Sequence, residues 1–342
     1  MRIAAARLSP YCLPLSRPWV AAAATLTERR GWLLGLTAAD GTTGWGDCAP
    51  LPSSGAPGQA RVAAALERLV ATLAGKDSEA IGDIDAPPEV RWALETALLD
   101  LAARRRGLPL ARFLGASDLA VPVNAALGVL DASGPARAAA ALAQGYGVAK
   151  FKVGLAGVDT ELDGLRAVAA ATGGRLRLRL DANRAWPEAA ARRFLTAAAD
   201  LPVEAVEEPL ADPTLQTLAA LQAALPFALA VDESLFELGV DALLAARAVR
   251  RLVLKPARIG GIRATLALAA RARQAGMDAV VTSVVDSAVG VAAAAHVAAA
   301  LAGPAHGLAT SAWLAADVAQ PPVIAAGHMQ LPDAPGLGLT PG

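Results

Sequence analysis

The sequence predicts an α/β protein in which an N-terminal α+β unit precedes a parallel barrel. Three observations predict it. The first third places apolar runs of strand length ahead of two helical segments. From about residue 120, eight short apolar runs alternate with seven Ala-rich or amphipathic segments. Those runs are continuously apolar, as strands covered on both faces must be.

In the first unit, residues 3–13 and 31–37 read as strands, and Asp40-Gly41 ahead of Thr42-Thr43-Gly44-Trp45-Gly46 marks a hairpin. Residues 59–73 and 88–106 read as helices, the second opening on Pro87-Pro88-Glu89. The barrel strands are expected at 121–127, 149–153, 177–182, 203–207, 227–231, 251–255, 278–283 and 307–310. A doubly wound open sheet is the competing architecture, but no G-x-G-x-x-G phosphate loop follows the first strand. The Pro- and Gly-rich tail has no periodicity and is expected to pack back on the N-terminal unit. The domains are therefore read as 1–115, completed by 315–342, and 116–314.

Composition narrows the function classes. The 342 residues carry 31 Lys+Arg against 31 Asp+Glu, with 55% hydrophobic and 4% aromatic residues. Zero net charge leaves no electrostatic footprint for nucleic acid or an anionic membrane. The core must come from close approach of Ala, Leu and Val rather than from large rings. Cys12 and Cys48 cannot build a disulfide framework, and Arg2, Arg7 and Arg17 interrupt any N-terminal apolar segment, so a reducing, cytoplasmic setting is expected. Residues 287–316 carry no formal charge and are long enough to cross a bilayer, but Gly303-Pro304-Ala305-His306-Gly307 breaks them into a helix and a buried strand. Trp19, Trp32 and Trp45 all fall in the N-terminal unit, where they would either line a pocket or pack.

The charges inside the apolar strands carry the functional signal. Lys150 and Lys152 lie two apart and point to one side. Asp181 and Asn183, Glu207-Glu208, Asp232-Glu233 and Lys255 close the next four strands, with intervals of 26, 25 and 23 residues from Asp181 through Glu207 and Asp232 to Lys255. In a parallel barrel those C-terminal ends converge on the face that carries active sites. Three carboxylates brought together repel one another unless a cation lies between them. Oxygen donors from three strands suit magnesium, with manganese as the alternative. Lys152 and Lys255 would flank that ion, placed to remove a proton α to a small-molecule carboxylate and to stabilise the resulting enediolate. Asp159, Asp212 and Glu233 read as caps or surface charges, and Lys150 as either a structural partner or a catalyst. No histidine has a metal-ligand spacing partner; His296 reads as a helix residue and His306 as structural.

Ala149-Lys150-Phe151-Lys152-Val153-Gly154, Leu180-Asp181-Ala182-Asn183-Arg184-Ala185-Trp186, Val206-Glu207-Glu208-Pro209-Leu210, Val231-Asp232-Glu233-Ser234 and Leu254-Lys255-Pro256 together resemble the enolase superfamily, in its muconate-lactonizing-enzyme branch. The resemblance implies a modified TIM barrel, (β/α)7β, with an α+β capping domain. It implies Asp181, Glu207 and Asp232 as magnesium ligands, Lys152 as the base and Lys255 as its opposite partner, with Glu208 behind the ligands. Gly44-Trp45-Gly46-Asp47-Cys48-Ala49-Pro50-Leu51-Pro52 and His306-Gly307-Leu308-Ala309-Thr310 look most like the o-succinylbenzoate synthases of menaquinone biosynthesis. N-acylamino acid racemases, dipeptide epimerases and muconate cycloisomerases share the two-lysine geometry, and an inert ligand-binding barrel is the reading from another class. By resemblance, Ser283, Asp286 and Ser287 lie where family members hold substrate carboxylates, and Asp286 departs from what an anion pocket wants. The resemblance implies that the capping domain closes over the substrate, and residues 16–30 are read as a loop of that domain. A homo-oligomer is compatible with all of this.

Overall fold

The computed structural model describes residues 2–20, 25–50, 55–78, 81 and 84–342. Strands β1 (Ile3–Val20), β2 (Thr25–Ala38) and β3 (Thr43–Cys48) form an antiparallel sheet in that order. Helices α1 (Gly55–Leu73) and α2 (Pro88–Arg105) cover it, and the short α3 (Leu110–Phe113) leads out. The hairpin at Asp40-Gly41 is where the sequence places it. The segment at 16–30, expected as a loop, instead forms the paired arms of β1 and β2, with Trp19 opposite Leu26. Residues 21–24 and the side chain of Trp19 lie outside the described residues, as do Leu51 and Pro52 of the quoted motif.

Sheet and helix meet backbone to backbone. A Cβ on Gly46 would stand 1.9 Å from the Ala93 carbonyl of α2, and one on Gly44 2.3 Å from that of Ala97. Only glycines permit that approach, which explains the Gly-Trp-Gly spacing. Asp100 of α2, fully buried, accepts the Trp45 N–H at 2.8 Å and the Leu337 N–H at 2.7 Å and pairs with Arg104. One carboxylate thus joins cap sheet, helix and C-terminal tail. Trp45 is buried in the core and Trp32 packs beside Cys48 and Leu66, so both are packing residues.

The barrel follows. After β4 (Ala120–Pro122) come β5 (Ala125–Val129), α4 (Gly134–Ala143), β6 (Val148–Lys152), α5 (Val158–Thr172), β7 (Arg177–Asp181), α6 (Glu188–Ala197), β8 (Val203–Glu207), α7 (Leu215–Ala223) and β9 (Ala228–Val231). Then α8 (Ser234–Glu237), α9 (Val240–Ala246), β10 (Arg251–Leu254), α10 (Pro256–Ile259), α11 (Ile262–Gln274), β11 (Asp278–Val281) and α12 (Ala288–Leu301) complete it. Strands β5 to β11 form one parallel sheet in sequence order. The α/β class, with its antiparallel cap and parallel barrel, is as the sequence predicts.

Both ends of the ring differ from expectation. The run at 121–127 is not one strand: β4 belongs to a separate sheet, because Val123 donates to Gly327 while Asn124 donates to His306, and the chain changes partners between them. The eighth strand, expected at 307–310, shrinks to two bridge residues. His306 bridges Val123 and Gly307 bridges Thr282, which joins β11 to the start of β5 and closes the ring. Beyond them the chain turns away at Thr310 into a 3-10 turn over Ser311–Trp313. The tail does more than pack on the cap: β12 (Val323–Ala325) and β13 (His328–Gln330) form a hairpin whose second strand pairs with β4. Ala288–Leu301 is apolar all round and buried, and among the described residues no helix is long and apolar enough to cross a membrane.

The barrel interior opens at its N-terminal end with a charged layer. Glu204 Oε1 accepts from Arg179 at 2.6 Å and Arg251 at 2.9 Å, Arg251 grips Asp278, and Arg179 reaches Asn124 at 3.1 Å. Above it Ala230, Val253 and Val280 pack as a small inner core.

His296 and His306 are wholly buried; burial lowers their pKa values to about 4 and about 3, with Arg179 and Arg251 adding to the effect on His306. Each folded-state pKa lies below the unfolded one, so the unfolded chain binds protons that the native imidazoles refuse. Their contribution is full above pH ~6.5 and is lost as pH falls toward the folded values. Thermal unfolding followed between pH 7 and pH 5 is expected to show a loss of roughly 2 kcal/mol per imidazole.

Candidate active site

Parallel pairing sets the site. Lys152 lies beside Asp181, and Asp181 beside Glu207, in direct register at the C-terminal ends of β6, β7 and β8. Asp232 and Lys255 each follow the last residue of β9 and β10. Asp181, Glu207 and Asp232 are 5%, 3% and 4% exposed.

Two ammonium groups are inserted among the carboxylates. Lys150 Nζ lies 2.9 Å from Asp181 Oδ2 and 2.7 Å from Glu207 Oε2, and Lys255 pairs with Asp232 Oδ2. Lys150 is therefore a carboxylate partner, one of the two roles open in the sequence. Burial pulls its pKa down, but Asp181 and Glu207 outweigh burial and the net shift is upward. Lys255 behaves alike, raised by Asp232 and Glu233 against burial. Lys152 goes the other way. Burial lowers its pKa, the charge of Lys150 adds to this, and Asp181 only partly opposes it.

Burial pushes the Glu207 carboxyl up to about 8, with the charges of Asp181 and Asp232 adding and Lys150 opposing. Three buried carboxyls brought together repel one another unless positive charge lies between them. The donors are all oxygens, so the residues fit a hard divalent cation. As the side chains stand, the lysines engage these oxygens, and among the described residues no group of three or more His, Cys, Asp or Glu is gathered to hold a metal.

The remaining expected residues divide. Glu208 sits at φ 45° and is an anchor: its Oε1 accepts the N–H groups of Asp232 at 2.7 Å and Ser234 at 2.8 Å, and its Oε2 accepts the Ser234 hydroxyl at 2.5 Å. It holds the Asp232 backbone in place. Asn183, also in the left-handed region, donates its backbone N–H to Asp181 Oδ1 at 3.1 Å. Ser283, Asp286 and Ser287 are not hydrogen-bonded to the carboxylates. Ser283 Oγ meets Thr310 Oγ1 at 2.8 Å, Asp286 pairs with Arg29, and Ser287 caps α12 and donates to Asp47. The departure noted at Asp286 has this physical reason: its charge answers an arginine of the cap.

Three contributors escaped sequence reading. Glu161 accepts from the consecutive amides of Gly154, Leu155 and Ala156, fixing the turn behind Lys152. That turn needs its glycine, at φ 82° with Ala185 Cβ 2.4 Å from where a side chain would start. Arg258 stacks on Phe236 at 5.0 Å and approaches Asp232 at 3.9 Å. Glu233, read as a surface charge, acts on Lys152, Asp232 and Lys255. Glu233 was detectable as the neighbour of Asp232; Glu161 and Arg258 have no comparable signal.

The family described as "Enolase C-terminal domain-like" matches residues 135–342, and "MenC, N-terminal domain" matches residues 3–101. The chain belongs to the enolase superfamily. Similarity to superfamily members of several activities accompanies this. The L-Lys-D/L-Arg epimerase of Methylococcus capsulatus is 30% identical over 99% of both chains, and the o-succinylbenzoate synthase of Desulfotalea psychrophila is 31% identical over 61% of this chain and 58% of its own. Among solved structures, a dipeptide epimerase from Methylococcus capsulatus complexed with Mg and the dipeptide L-Arg-D-Lys is 29% identical, with TM-score 0.89 over 99% of both chains. The muconate lactonizing enzyme of Pseudomonas fluorescens complexed with muconolactone is 28% identical, with TM-score 0.87 over 100% of this chain and 97% of that one. Membership in the muconate-lactonizing branch is thereby supported: the chain is an enolase-superfamily enzyme whose relatives are lyases, epimerases and cycloisomerases, and the dipeptide epimerase among them is solved with Mg bound.

Proposed function

We propose that the protein is an o-succinylbenzoate synthase, a cytoplasmic enzyme that dehydrates 2-succinyl-6-hydroxy-2,4-cyclohexadiene-1-carboxylate to 2-succinylbenzoate. The observation that carries the reading is the "MenC, N-terminal domain" match over the cap, because the barrel resembles lyases, epimerases and cycloisomerases alike. Asp181, Glu207 and Asp232 would hold magnesium, which when bound would supply positive charge to the substrate carboxylate and acidify its α-carbon. Lys152, with its lowered pKa, is the base. Its neutral amine takes the α-proton, and the C–OH bond breaks as the ring becomes aromatic. The Lys152 ammonium returns the proton to the departing hydroxide, so that water leaves and the amine is regenerated. Lys255, just past the end of β10, would face the other side of the ring as a cation and move no proton.

A racemase or epimerase on the same two lysines would differ in that both must exchange protons. The deciding assay adds the cyclohexadiene carboxylate and magnesium and follows aromatic product in the ultraviolet. Absence of product, with α-proton exchange of N-succinyl amino acids or Ala-Glu in deuterium oxide, would replace the reading by the racemase or epimerase. Chelation is expected to abolish turnover and added magnesium to restore it. Undiminished turnover in chelator would remove the metal from the scheme.

A further inference from the structure

The loop between β11 and α12 takes its shape from the cap. Val285 is fully buried with φ at 56°, in the left-handed region that a β-branched residue enters only where its surroundings force it. Arg29 of β2, 3% exposed, supplies the force. Its Nε donates to the Val285 carbonyl at 3.1 Å, its Nη1 to Pro50 at 2.5 Å, and its Nη2 to Ala49 at 3.0 Å and to Asp286 Oδ1 at 3.4 Å. The other Asp286 oxygen accepts the Val284 N–H at 3.1 Å and curls the loop on itself. A second tie holds the same seam: Asp47 of β3 accepts from Ser287 at 3.0 Å and from the Tyr11 hydroxyl at 2.7 Å.

The other end of this loop reaches the barrel mouth. Along β11, Asp278 bonds Arg251 and Val280 packs in the inner core, so Thr282 shares the inward face. Its N–H donates to Leu254 at 2.9 Å, one residue before Lys255, and its hydroxyl oxygen is buried without a hydrogen-bond partner among the described residues.

We propose that Arg29 is a positioning residue for substrate binding: by clamping Val285 from the cap, it sets the backbone of 282–284 at the barrel mouth without itself touching substrate. The proposal rests on reading that mouth as the site for a small carboxylate. Neither the barrel nor the cap alone holds the loop, so recognition is shared between them.

The test compares Arg29→Ala and Arg29→Lys with Tyr11→Phe, which loosens the same seam but leaves the Arg29 contacts intact. Kinetics use the cyclohexadiene carboxylate, or the N-succinyl amino acid if the parent enzyme turns over only that. The parent assay judges the proposed function, and the ratio of variant to parent judges Arg29. Arg29→Ala is expected to raise KM about tenfold with kcat little changed, Arg29→Lys less, and Tyr11→Phe to lower thermal stability alone. Independently of turnover, amide exchange at Val284 is expected to accelerate about tenfold in Arg29→Ala and not in Tyr11→Phe. If Arg29→Ala does not fold, Arg29→Lys carries the same comparisons. Parent-like KM and Val284 exchange in the folded Arg29 variants, or equal effects in Tyr11→Phe, would overturn the proposal and leave Arg29 as a packing contact.

Discussion

Replacing Lys152 by Ala is expected to leave a folded protein that turns over its substrate about 10³-fold more slowly, the loss typical of removing a positioned general base. Of the cluster's three lysines Lys152 is the one whose pKa is lowered, and it is only partly buried, so its removal costs the fold little. Lys255→Ala should be milder, about 10- to 100-fold, because it removes a cation opposite the ring rather than the group that moves the proton. Single-turnover kinetics with circular dichroism of both variants checks the pair. Equal losses would point to a two-base reaction, and full turnover in Lys152→Ala would sink the assignment of the base.

The largest stability effect is expected far from the chemistry, in the charged layer at the N-terminal end of the barrel. Glu204 Oε1 neutralises two guanidinium groups, of Arg179 and Arg251, whose side chains are 3% and 6% exposed. In Glu204→Ala, Asn124 and Asp278 still reach the arginines, but the shared counter-charge is gone. Removing one partner of a buried ion pair costs about 3–5 kcal/mol. Denaturant unfolding should register that loss, with Glu204→Gln keeping a hydrogen-bond acceptor and losing less. A change below about 1 kcal/mol would mean that the layer contributes nothing beyond its packing.

What was legible in the sequence follows from the range of the forces involved. Strands β6 to β11 announce themselves because each is a run of apolar residues bounded by turns, and the site was visible because charge at the end of such a run is conspicuous. The repeat length alone carries Asp181, Glu207 and Asp232 to adjacent strands. The first and eighth strands differ from expectation because composition does not say where a strand changes partners: nothing in the run at 121–127 marks the switch at which Val123 donates to the tail and Asn124 to His306. The division of labour between Lys150 and Lys152 was equally hidden, since it depends on which ammonium reaches two carboxylates at once. The use of Asp286 and Ser287 was hidden for a different reason, their partners Arg29 and Asp47 being 257 and 240 residues away along the chain.

That long-distance pairing bears on how such proteins can be recombined. A cap and a barrel look like modules that could be exchanged between relatives to move one specificity onto another chemistry. Here the seam is keyed: Arg29 needs the carbonyl of Val285 and the carboxylate of Asp286, and Asp47 needs the hydroxyl of Ser287. A chimera that brings a foreign cap without these partners would inherit the catalytic strands intact and lose the shape of the loop beside them. Grafts that carry residues 282–287 along with the cap keep both halves of the lock.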